Sequence, residues 1–390
     1  MIPNLTFSPL QRADFNGSLD DRKKVLSELE MNLESGKIII TMQGNFHLTK
    51  TQVQFSEAYL LHDHQLEQSV KWWLNERISF EKIIAQYHSY DAHLMWQDWP
   101  RHYAMRVLAG SGPIACGSNI FAFFPEALGI RPRTPTDVFG MEFIDIWNNI
   151  FQQSIFPCVH EGFDHQSQLE VTSILSYHLD QAIYLAAVFH EIGHRAGPWK
   201  VSPVSHPQLK LSRFHWGVVG EIATDSLLVA HLSDFPEIAY FVTLQRLFWF
   251  GRRGYRENPI SGLTNEDNDG WLGSYLWEKL RATGAIARNE LNHKWKINGE
   301  KLVETYQNIT TEIDKLGAEC LNLERPQQEL IDNWMRSKVE WKPAIGFIVS
   351  DELRELFERC SLIPEVPHFS TAMSLADMRS LGEEFNRELT

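Results

Sequence analysis

One pentapeptide constrains this chain more than any other feature: His190-Glu191-Ile192-Gly193-His194. It lies in a run where Ala182, Ala186, Val188, Phe189, Ile192 and Ala196 recur at helical spacing. Two histidines at i and i+4 of a helix stand one above the other, so both imidazoles reach a common point. So apolar a run is buried by folding, and buried imidazoles beside a carboxylate need a partner. A divalent cation is the usual one. Gly197-Pro198 stops the helix just past the second histidine. The expectation is a buried helix whose last turn carries two rings directed at a metal; the alternative is a pair of core histidines satisfied by hydrogen bonds, with Glu221 and Asp225 on a solvated face.

A third ligand follows in Gly220-Glu221-Ile222-Ala223-Thr224-Asp225. Residues Trp216 to His231 form a second helical stretch with Val218, Ile222, Leu228 and Val229 on its apolar face. Glu221 and Asp225 are again four apart and share a side of that helix. Hydrolytic zinc sites use three protein ligands and keep one position for water. His190, His194 and Glu221 supply such a set. Asp225, one turn on, is placed to accept a hydrogen bond from a ligand ring and fix its tautomer. Glu191 is placed to take a proton from a metal-bound water.

His-Glu-Ile-Gly-His followed by Gly-Glu-Ile-Ala-Thr-Asp resembles the gluzincin arrangement of zinc metallopeptidases, over residues 180–231. In that family the first motif lies on one helix and a glutamate on the next completes the site. The resemblance implies a zincin-like pair of active-site helices and Zn2+ as cofactor. It makes His190, His194 and Glu221 the ligands, Glu191 the general base and Asp225 the residue that orients a ligand. The implied activity is hydrolysis of a peptide or another small amide by metal-activated water. Zincins commonly add a Tyr or His donor for the oxyanion. The downstream candidates are Tyr240, Tyr255, His206 and His215. Tyr255 is preferred as the catalytic donor. It sits in the basic, glycine-bounded cluster Phe250 to Arg256, which reads either as a solvated loop or as a carboxylate-binding fork.

Other readings stay open. A folded binding or regulatory protein could keep a zincin scaffold without peptidase activity. A helical di-iron oxidoreductase would use Glu191-Ile192-Gly193-His194 with Glu290-Leu291-Asn292-His293, but the second segment has polar neighbours. Asp267-Asn268-Asp269-Gly270 lacks the downstream glutamate of a calcium loop and reads as a helix N-cap or a turn. His62-Asp63-His64 reads as exposed loop. Cys158, His160 and His165 read as scattered, not as a cluster.

The chain around the motif is of mixed type. Leu19 to Ser35 is a polar helix, and Lys37 to Met42 is a strand ended by Gly44-Asn45, with Thr51 to Phe55 as its partner. Residues 57–110 read mostly as helix, with Trp72, Trp73, Trp96 and Trp99 as core. Ser118 to Phe124 is a strand, Arg131 to Thr136 a loop, and helix resumes at Phe139. From residue 170 helical periods dominate. The expected fold is α+β, predominantly α, with a small N-terminal sheet. The expected domains are a mixed lobe over 1–200, ending in the first motif, and a helical lobe over 201–390 carrying Glu221. With 36 basic against 50 acidic residues, a net charge of −14 argues against nucleic acid and against anionic membranes as partners. Four scattered cysteines and no secretory leader at Met1 to Phe7 point to the cytoplasm.

Overall fold

Local chemistry sets the first elements of the computed structural model. It describes residues 19–47, 53–88, 101–111, 122–123, 139–194, 196–199, 211–257, 268–322, 327–343, 345–365 and 373–374. Helix α1 (Leu19–Glu34) buries Leu29 and Leu33, four residues apart on one side. Strand β1 (Ile39–His47) runs on through Gly44 and Asn45, contrary to the expected stop. The reason is its partner. Strand β2 (Val53–His62) pairs with it antiparallel from Ile39↔Leu61 to His47↔Val53, and a full ladder outweighs local turn preference.

Next come α2 (His64–Arg77), α3 (Phe80–His88) and β3 (Arg101–Ser111). The helix expected up to residue 110 is thus interrupted at both ends by strand. His62 also corrects the reading of an exposed loop: it ends β2 and is 4% exposed. Strand β4 (Ala122–Phe123) and β5 (Phe139–Phe143) precede α4 (Ile144–Ile150). Only those two residues of the expected 118–124 strand are described. Trp96, Trp99, His206 and the 131–136 loop lie outside the described residues.

After a π-helical turn at Phe151–Ile155 the chain is mainly helical. It forms α5 (Phe156–Gly162), α6 (His165–Leu175), α7 (Leu179–Gly193), α8 (Arg213–His231) and α9 (Pro236–Leu244). A second π-helical stretch, Gln245–Gly251, leads into α10 (Arg252–Glu257) and α11 (Asn268–Thr283). A hairpin of β6 (Ile286–Arg288) and β7 (Trp295–Ile297) precedes α12 (Gly299–Leu321) and α13 (Gln327–Lys338). A pair of two-residue strands, β8 (Trp341–Lys342) and β9 (Gly346–Phe347), then leads to α14 (Asp351–Arg359) and β10 (Met373–Ser374). The fold is α+β and predominantly α.

The chain divides into two compact units, residues 1–72, 99–153 and 366–390, and residues 73–98 and 154–365. The first is built on a six-stranded sheet in the order β1-β2-β3-β5-β4. One edge of β3 pairs antiparallel with β2. The other pairs in parallel with β5 at Arg101 to Met105 and with β10 at Ala109 and Gly110. The second unit is helical around a core that includes Trp249, Trp271, Trp277 and Trp295, all essentially sealed from solvent. Side chains cap its helices: Asp164 accepts from Ser167 N, Ser212 from His215 N and Asn298 from Lys301 N. Among the described residues no helix is long and apolar enough to cross a membrane.

Candidate metal centre

Helix α7 buries Ala182, Ile183, Ala186, Phe189 and Ile192, which leaves His190, Glu191 and His194 at its open end. Its last bond, His194 N to His190 O at 3.2 Å, keeps the two rings one turn apart. Gly197 then turns the chain at a φ of +69°, a conformation that favours glycine. Helix α8 lies directly against this end. A Cβ added to Gly193 would come within 2.8 Å of Thr224 Cγ2 and 3.3 Å of Thr224 Cα. The small residue of the motif, Gly193, is therefore what lets α8 bring Glu221, Thr224 and Asp225 to the histidines.

The donors converge. His190 Nε2 and His194 Nε2 are 3.0 Å apart, and Glu221 approaches them at 3.4 Å and 3.6 Å with its two oxygens. The opposite ring nitrogens are held from behind. His190 Nδ1 lies 3.2 Å from Asp225 Oδ1, and His194 Nδ1 lies 3.1 Å from Thr224 Oγ1. Asp225 accepts from His190 Nδ1 and the Thr224 hydroxyl can accept from His194 Nδ1, which leaves both Nε2 atoms facing the same point. Two ring nitrogens and a carboxylate facing one another need a cation between them, a proton or a metal in its place, so the donor set fits a divalent metal. A ligand oxygen of Glu191 is within 4.8 Å of the histidine nitrogens.

Comparison of the sequence with protein-family models finds no match, and neither does comparison with curated proteins. Solved structures do match. DPP III from Caldithrix abyssi superposes with a TM-score of 0.58 at 14% identity, covering 94% of this chain and 69% of that one. Dipeptidyl-peptidase III from Corallococcus sp. strain EGB gives 0.55 at 12% identity, covering 96% and 68%. The chain shares their fold. At such low identity the likeness speaks for the fold alone.

A cation already stands behind the cluster. Arg246, 5% exposed, places Nε 2.8 Å from Asp225 Oδ2, Nη2 3.4 Å from Glu221 Oε2 and Nη1 3.1 Å from Asp269 Oδ1. Burial alone would raise the pKa of Glu221, but His190, His194 and Arg246 together hold it well below the carboxylate range. Burial works against a charged His190 too, yet Asp225 and Glu221 raise its pKa well above the ordinary value. Burial and the neighbouring His190 lower that of His194.

Sequence spacing brought His190, Glu191, His194, Glu221 and Asp225 together. It did not reveal Thr224 or Arg246. Arg246 left one trace, a single cation in the apolar run from Ile238 to Phe250, where a charge is buried only when paired. The remaining candidates lie elsewhere. Tyr255 is on α10 with its ring 5.5 Å from that of Phe357, and is not within hydrogen-bond reach of the cluster. Tyr240 is buried and donates to Glu170. His215 is held between Ser212 and Asp332. The basic cluster is helix, not loop, and its Arg252 is fully buried on Ser154 and the carbonyls of Cys360, Ile363 and Pro364. Asn268 begins α11, so of the two readings the helix start holds. Glu290 to His293 form the exposed turn between β6 and β7, with Leu291 94% exposed, so the second helix that a di-iron site needs is not there.

Proposed function

We propose that this chain is a zinc-dependent peptidase that cleaves a peptide or related amide with water. The convergence of two histidine ring nitrogens and the Glu221 carboxylate, each buttressed from behind, carries the reading. Two imidazoles and a carboxylate suit zinc, which when bound would acidify a water and polarise a substrate carbonyl. Glu191, beside the two ligand nitrogens, takes the proton of the attacking water and returns it to the leaving amine. Asp225 and Thr224 hold the two rings in the tautomers that face inward. Arg246 restrains Glu221 and Asp225 as a pair. The fold shared with two dipeptidyl-peptidases III supports a peptide as the substrate class.

The test is Glu191→Gln. Zinc content should stay at the wild-type level while turnover of a peptide library, read by mass spectrometry, falls roughly 10²–10⁴-fold. Full activity in the variant would remove Glu191 as the base. A wild type that binds zinc at the cluster and cleaves no peptide or amide would leave the inactive-scaffold reading in its place.

A further inference from the structure

We propose that the first unit holds a second divalent-metal site, made by His62 and His64 with Glu67 supporting His62 from behind, and independent of the cluster on α7 and α8. Strand β2 ends at His62, Asp63 makes the corner, and α2 begins at His64. Glu67 is three residues after His64 on that helix, hence on the same side. Ligand atoms of the three residues lie within 4.8 Å of one another. The His62 and His64 rings are 3.7 Å apart between centroids.

His62 shows what is missing. It is 4% exposed, and its Nε2 lies 2.8 Å from Glu67 Oε1. That carboxylate fixes the tautomer, because an ionised oxygen only accepts. Nε2 carries the hydrogen, and Nδ1 is left with a bare lone pair. Nδ1 is buried and has no hydrogen-bond partner among the described residues. A buried, unsatisfied acceptor is costly to the fold. With the rings so close, the bare nitrogen lies beside the His64 imidazole. A histidine whose far nitrogen donates to a carboxylate is the usual outer support of a metal ligand.

The neighbours are already committed. Asp63 accepts from Leu66 N through Oδ1 and from Arg106 Nε through Oδ2. Glu67 Oε1 also accepts from Ala104 N on β3. An ion bound by His62 Nδ1 and the His64 imidazole, with Glu67 holding His62 from behind, would tie the end of β2 to the first turn of α2. Through Ala104 the same carboxylate joins that corner to β3. Two imidazoles favour zinc and its neighbours over magnesium or calcium. His64 and Glu67 are half-buried, so water can fill the remaining positions. The role is a structural clip.

The experiment counts zinc on the full chain. Protein stripped with chelator is reloaded with Zn2+, desalted and analysed by elemental mass spectrometry. Wild type should hold two zinc ions, His64→Gln one and His194→Gln one. A His64→Gln chain that holds as much zinc as wild type overturns the proposal. One zinc in wild type and none in His64→Gln supports this site and removes the one on α7 and α8. If His64→Gln does not reproduce the wild-type circular dichroism, His194→Gln decides alone. Its remaining zinc should show imidazole ligands by X-ray absorption, and its holding none overturns the site.

Discussion

Asp225 and Glu221 hold a proton on His190, and a metal must displace it. The raised pKa sets the sign. As pH falls the proton is held more firmly, so zinc affinity should fall with it. Calorimetry in buffers of different ionisation enthalpy should show proton release on binding at neutral pH. Affinity unchanged between pH 6 and pH 8 would contradict this account. Asp225→Asn keeps the size but loses the charge behind His190, and zinc affinity should drop roughly 10- to 100-fold. Arg246→Met leaves Asp225 buried without its cation. Urea unfolding should show a loss of about 3–5 kcal/mol, the usual cost of removing one partner of a buried ion pair. At this scale the sequence is readable where contacts stay within one helix. His190 with His194, and Glu221 with Asp225, follow from i, i+4 spacing alone. The bond from Thr224 to His194 and the three from Arg246 cross between elements, and no spacing rule encodes them.

Two helices meet at Gly193 with no room for a methyl group, since a Cβ there would overlap Thr224. Gly193→Ala should cost about 1–3 kcal/mol, the range for overpacking. It should also weaken zinc binding, because α8 carries Glu221. Gly273→Ala is the control. Its Cβ would lie 2.7 Å from Gly251 Cα, so stability should fall while zinc affinity in the folded variant is kept. Equal effects of the two variants on zinc would show that α7–α8 spacing does not tune the site. Helices α7 and α8 were legible from their apolar period. Strand β3 was not, for two physical reasons. Its Ala104, Met105, Leu108 and Ala109 favour helix as much as strand. A bulge also breaks its alternation: Tyr59 pairs with Ala109, but Leu60 pairs with Val107, skipping Leu108.

On the scale of the molecule, one half-buried histidine sets a slope in acid stability. Burial lowers the pKa of His231 to about 4, against 6.5 for the free side chain. Its neutral form therefore contributes stability that is full above pH 6.5 and is lost as pH falls toward about 4. His231→Gln should flatten the denaturation free energy across that window. An unchanged slope would locate the acid sensitivity elsewhere. The two-unit partition has a consequence of its own for synthesis. Strand β10 pairs with Ala109 and Gly110, yet Met373 is made long after them, once residues 154–365 of the other unit have left the ribosome. At roughly 5–20 residues per second that interval is on the order of tens of seconds. For all of it the nascent chain carries an unfinished sheet, with part of β3 an open template for any passing strand. A chaperone that shields such an edge would act on the first unit while the second is still being made.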